Sequence, residues 1–313
     1  MLVELVQSDG VLHAVVMTAG SCQLRELGPV EAVTTTNDFV LFALRRLAIR
    51  QGERGAAAID SLRHSCDELD QLLFGGLDLP AGPVVVVPTG SLHQIPWAAL
   101  PTLADRDVTV APSATMWLHA ANAPHHESPR LLFIAGPGLP GASSEVVELA
   151  THARDAVALT GQDATVAAAL SAMEDADFVQ IAAHGRFRAD SPMFSHLALW
   201  DGPLTIYDLE RLRSAPEVVT LSACQAASAR VYLGDEILGT ASVLLGLGVR
   251  TVIAPLVDVP DEATARLMVA MHAHLRRGEP CHRALRLAAA ELRAGAGPLE
   301  WMAAASFIAI GAA

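Results

Sequence analysis

Phe178-Val179-Gln180-Ile181-Ala182-Ala183-His184-Gly185 and Val218-Val219-Thr220-Leu221-Ser222-Ala223-Cys224 are the two runs on which the reading of this chain turns. Each is a short apolar run with β-branched residues, bounded by charge or turn residues, as expected of an interior strand in a parallel sheet. One runs into a histidine and the other ends in a cysteine. In open parallel sheets the chemistry collects beyond the carboxyl ends of the strands. The two runs therefore predict that His184 and Cys224 meet in one crevice, a thiol with a base beside it.

Composition narrows what surrounds this pair. The chain has 313 residues and is 52% hydrophobic, enough to bury one large core or two moderate ones, with no low-complexity tract. All 21 basic residues are arginine. Without lysine, a P-loop, a pyridoxal Schiff base, a protein kinase and an SxxK hydrolase each lack their essential residue. The net charge of −13 argues against nucleic-acid binding and leaves an attraction to basic peptides. Cys22, Cys66, Cys224 and Cys281 have no CxxC spacing, so they are read as free thiols. The twelve histidines contain no HExxH; His125-His126 lies in linker-like sequence, and His272 and His274 point to different faces of a helix. No metal and no cofactor is expected. Met1–Val6 reads as a strand rather than a signal peptide, and no apolar run is long enough to span a bilayer, so a cytoplasmic protein without membrane contact is expected.

The remaining elements follow from periodicity and turn residues. Leu2–Val6, Leu12–Met17 and Cys22–Leu27 predict a hairpin or small meander. Two helices follow, one capped by Asn37 or Asp38, the other carrying Ile59, Leu62, Cys66, Leu69 and Leu73. Val84–Val87 is a strand leading into a turn with His93, which reads as structural. Ala121–Pro129 is the expected boundary, dividing residues 1–125 from 126–313. Leu131–Ala135 starts an α/β pattern with a helix over Ser144–Leu159. The Gly136-Pro137-Gly138 turn has no GxGxxG and two prolines, a poor nucleotide loop. A hairpin is predicted across Asp201-Gly202, a helix over Asp235–Leu247, a strand over Thr251–Val257, and helices over Asp261–Arg276 and Cys281–Arg293. Asp261 is expected to cap its helix, and Phe307–Ile310 to close the sheet.

Ala182-Ala183-His184-Gly185-Arg186-Phe187, Leu221-Ser222-Ala223-Cys224, Gly234-Asp235-Glu236-Ile237-Leu238-Gly239 and Val252–Thr264 resemble, in order and spacing, the CHAT family of caspase-like peptidases. Val87–Trp97 is similar to an upstream box of that family, and Trp301 with Phe307–Gly311 to its closing strand. The resemblance covers roughly residues 80 to 311. It implies an α/β fold: a caspase-like three-layer sandwich around a mostly parallel sheet, with residues 1–125 as an N-terminal α/β, pseudo-caspase-like subdomain.

Carried over residue by residue, the resemblance makes Cys224 the nucleophile and His184 the base that raises its thiolate fraction. The backbone N–H groups of Gly185 and Cys224 would hold the oxyanion. Where relatives carry an acidic residue and glycine after the cysteine, this chain has Gln225-Ala226-Ala227, which bears on how a P1 side chain is held. For a basic P1, Asp258 ranks first, with Asp235 and Asp261 behind it. The expected partners are a protein or peptide substrate and a small or separate regulator, in a bacterial defence or cell-death setting. Two other readings stay open: a catalytically silent docking module, and self-processing at Arg230.

Overall fold

Runs containing valine or isoleucine form most strands of the large sheet, and the amphipathic stretches between them form helices that cover both of its faces. The computed structural model describes residues 1–49, 53–126, 128–153, 155–186, 190–222, 233–295 and 297–312. In chain order the elements are β1 (Leu2–Ser8), β2 (Val11–Met17), β3 (Cys22–Pro29), α1 (Val30–Leu47), α2 (Glu53–Phe74), β4 (Val84–Val87), α3 (Pro101–Ala104), β5 (Val108–Val110), α4 (Ala114–Ala121) and β6 (Leu131–Ala135). They continue with α5 (Ala142–Thr151), β7 (Val157–Leu159), α6 (Val166–Met173), β8 (Phe178–Ala182), β9 (Gly185–Arg186), β10 (His196–Leu199), β11 (Gly202–Thr205), α7 (Ile206–Leu209) and β12 (Val218–Leu221). The last elements are α8 (Leu233–Gly246), β13 (Thr251–Pro255), α9 (Asp261–Leu275), α10 (Cys281–Ala294), α11 (Pro298–Ser306) and β14 (Phe307–Gly311).

Eleven strands form one sheet in the order β3-β2-β1-β4-β5-β14-β13-β12-β8-β6-β7, and β11-β10-β9 form a second, three-stranded sheet. The strands from β13 to β7 run parallel, with Val218 facing Phe178 and Leu221 facing Ile181 across the β12–β8 ladder. β14 runs antiparallel to β13 and parallel to β5, so strand direction reverses between the two halves of the sheet. Strands from both sides of residue 125 thus share one sheet.

Side-chain alternation along β8 sorts the layers. Val179 and Ile181 pack toward α6 and α8, in a cluster with Ala169, Met173, Ala241 and Leu244. Phe178 faces the other side, in the cluster of α1, α2, α9, α10 and α11, and Ala182 packs with Val146 and Leu149 of α5. Three layers result, with the sheet in the middle.

Four expectations need correction. The first long helix starts at Val30, with Pro29 at its N-cap, and Asn37 is buried inside it rather than capping it. The helix expected to reach Leu159 ends at Thr151; Val157–Leu159 leaves it to pair with β6 as the outermost strand. Pro260 occupies the N-cap of α9 without a side-chain hydrogen bond, so Asp261 is the first helical residue and not the cap. The strand after α8 stops at Pro255 instead of reaching Val257.

Candidate active site

β8 and β12 are neighbours in the parallel half of the sheet, and both end at the same edge. His184 lies two residues past β8, half-buried. Its Nε2 is 3.3 Å from the carbonyl oxygen of Gly138, in the turn that follows β6. A carbonyl only accepts, so in this contact Nε2 is the donor. The His184 carbonyl accepts from the Ala198 N–H at 2.8 Å, which ties this segment to β10.

The turn under the imidazole depends on two glycines. Gly136 donates to the Ala182 carbonyl at 2.8 Å, and a Cβ there would lie 2.5 Å from the Ala198 carbonyl oxygen and 2.6 Å from the Ala183 Cβ. Gly138 has φ +79°, and a Cβ on it would come within 3.4 Å of His184 Nε2. Both positions exclude a side chain, one by close approach and the other by backbone conformation.

β12 ends at Leu221, and Ser222 continues its path by donating its N–H to the Ile181 carbonyl at 3.1 Å. Cys224, Arg230 and Phe187 lie outside the described residues, as does the side chain of Asp235, which stands in α8. Gly185 opens β9, opposite Leu197 of β10. Asp258 is exposed on the segment between β13 and α9, at the edge where the parallel strands end. Asp261 is close enough to His184 for the imidazole to oppose the rise in its carboxyl pKa, a rise caused by burial.

His93 belongs elsewhere. It sits in a 3₁₀ turn over Gly90–Gln94, after β4, whose carboxyl end faces the edge opposite the ends of β8 and β12 because of the reversal at β14. The described cysteines do not present an activated thiol. Burial pushes the Cys66 thiol up to about 12, desolvation raises that of Cys281, and Cys22 is exposed at the rim strand β3. Among the described residues no cluster of His, Cys, Asp and Glu could hold a metal.

Behind the strand ends lies a polar cluster that sequence reading missed. Glu145 of α5 accepts from Gln180 Nε2 of β8 and from Ser222 Oγ, the latter at 3.2 Å. Gln180 Oε1 is 2.7 Å from His272 Nε2 on α9. Burial pushes the Glu145 carboxyl up to about 7 and the His272 imidazole down to about 3, so His272 is neutral and donates its single N–H to Gln180. Phe133 and Phe178 hold the His272 ring edge-on, at centroid distances of 5.2 and 5.1 Å. Two signals were present in the sequence. Glu145 falls on the helical stripe of Ala142, Val146 and Leu149, and Gln180 interrupts an otherwise apolar strand.

A family model described as CHAT domain matches residues 63–312. The fold is similar to that of Saccharomyces cerevisiae separase, seen in its complex with securin, with a TM-score of 0.55 at 16% identity over 78% of this chain and 16% of that one. It is also similar to Porphyromonas gingivalis RgpB, in the complex of its pro- and mature domains, with a TM-score of 0.52 at 12% identity over 90% of this chain and 77% of that one. The Arg-specific cysteine proteinase gingipain R gives the same score and identity, over 90% and 75%. This chain spans 16% and 18% of the chains matched in two structures of that separase–securin complex. No curated protein matches it.

Proposed function

The chain belongs to the CHAT domain family, and on that premise we propose that it is a cysteine endopeptidase in which Cys224 is the nucleophile and His184 the base. Strand register carries the proposal. Leu221 faces Ile181 in the β12–β8 ladder, and Cys224 stands as far from His184 in sequence as those partners stand from each other. That equal separation past the last paired residues is what supports pairing the thiol with the imidazole.

In the proposed reaction the Gly138 carbonyl keeps the His184 proton on Nε2, and Nδ1 takes the proton of the Cys224 thiol. The thiolate attacks the scissile carbonyl, and the oxyanion is held by the N–H groups of Gly185 and Cys224. Collapse forms a thioester, with the leaving amine protonated from His184 Nδ1. Water, deprotonated by the same nitrogen, then releases the acid and regenerates the thiol. A basic P1 side chain pairs with a carboxylate, Asp258 before Asp235. The substrate is a partner protein in a bacterial defence or cell-death pathway, with residues 1–125 as a supporting subdomain and a separate protein as regulator.

Cleavage of a fluorogenic peptide library varied at P1, under reducing conditions, tests this. The wild-type chain is expected to cut and Cys224→Ala to be silent. Equal turnover by both would remove the proposal, and no cleavage with a Cys224 no more reactive than Cys22 would favour a docking module. Asp258→Arg should abolish cleavage after arginine; unchanged cleavage would reassign the pocket.

A further inference from the structure

The polar cluster behind the strand ends has no part in the proposed chemistry, and it is costly to keep. Glu145, Gln180, Ser222 and His272 are 4%, 0%, 5% and 2% exposed, and a buried carboxyl is tolerated only when it is hydrogen-bonded. Apolar side chains of similar volume would fill the space between α5 and the sheet without that cost. What they could not do is add a side-chain tie between the two strands beyond their backbone ladder. Through one oxygen Glu145 accepts from Gln180 on β8 and from Ser222 just past the end of β12. The only other tie described for Ser222 runs to the Ile181 carbonyl, from its N–H at 3.1 Å and its Oγ at 3.4 Å. Gln180 is itself fixed from behind by the His272 N–H, so the donor facing Glu145 cannot swing away.

We propose that Glu145 is a positioning residue that clamps the end of β12 to β8 through Ser222 and Gln180, and so sets where Cys224, two residues beyond Ser222, stands against His184. The inference rests on the dyad reading given above. The charges around the clamp are Asp261 at the start of α9 and Glu148 on α5, both of which disfavour the ionised form, while His272 is neutral. Geometry rather than charge is therefore what Glu145 supplies, and a glutamine, whose carbonyl can accept the same two hydrogen bonds, can replace it.

The test is the alkylation rate of Cys224 by iodoacetamide in the folded full-length chain, read by peptide mass against exposed Cys22 in the same sample, together with the melting temperature. Glu145→Leu is expected to slow Cys224 by about ten-fold or more relative to Cys22. Glu145→Gln should stay within about two-fold of the wild type, and Ser222→Ala should move in the direction of the leucine variant. The double variant Glu145→Leu with Ser222→Ala should be no slower than Glu145→Leu, since both remove one tie. If Glu145→Leu does not fold, Ser222→Ala carries the same reading, because it deletes a single oxygen. A purely structural role would lower the melting temperature and leave the ratio of the two cysteines unchanged, which overturns the clamp. A glutamine variant as slow as leucine would also overturn it. A wild-type Cys224 no faster than Cys22 would remove the dyad and the clamp with it, whereas a fast Cys224 indifferent to all these substitutions would remove the clamp alone.

Discussion

Glu145 keeps its proton up to about pH 7 because burial disfavours its charge. The folded chain binds that proton more tightly than the unfolded chain, whose carboxyl titrates near 4.5. The resulting stabilisation is fully present below pH 4.5 and is lost as pH rises through about 7, with an upper size of about 3 kcal/mol. Glu145→Gln should remove this slope. Urea unfolding between about pH 5 and 8 should show wild-type stability falling and the variant holding level; parallel curves would mean that Glu145 is ionised throughout. The turn beneath the imidazole gives a second prediction. Gly138→Ala places a side chain at φ +79° beside His184 Nε2 and should cost about 1 kcal/mol or more. Turnover should fall further than that loss explains, because the carbonyl that orients the imidazole moves. His184 stands out because it closes an apolar run, whereas Glu145 was passed over despite its place on the apolar stripe, because a glutamate in an amphipathic helix is ordinarily on the wet face.

At the scale of elements, β8 and β12 were readable because interior strands are apolar on both faces and end at visible turn residues. β7 was not. Three residues, Val157–Leu159, at the margin of the sheet fit a continued helix as well as a strand, and pairing with β6 decides between them. α11 was missed because Pro298–Ser306 is nearly all apolar or small and buried around much of its circumference, which leaves no helical stripe to detect. α7, the short helix before β12, is closed by a capping box in which Thr205 Oγ1 accepts from the Asp208 N–H and the Asp208 carboxylate accepts from the Thr205 N–H. Thr205→Ala should cost about 1 kcal/mol in chemical unfolding. Because the hydrogen bonds of this cap run between Thr205 and Asp208, Cys224 reactivity in the folded state should be unchanged. A parallel loss of reactivity would mean that the site senses any weakening of the fold.

Over the whole molecule, the three-layer architecture was legible from the family boxes, and the way its halves interlock was not. Leu267 and Met268 of α9, Ala288 of α10 and Met302 of α11 pack in one core with Val40 and Leu44 of α1, Leu62 and Leu69 of α2, and Val86 of β4. Residues 126–313 expressed alone would expose that face. They should aggregate or lack a cooperative melt in circular dichroism, and a folded fragment with a sharp transition would show that the first 125 residues are dispensable. The reversal at β14 was hidden as well, because strand direction within a sheet leaves no mark on composition.

β14 comes last among the strands in sequence and lies between β5 and β13. The sheet therefore cannot be joined in the order in which it is made. Without Phe307–Gly311, β1 to β5 on one side and β6, β7, β8, β12 and β13 on the other are two sheets, each with an open margin where β14 belongs. A chain cut before that point keeps β8 and β12 but has no continuous framework to brace them, so a sheet of this topology is complete only once β14 is in place.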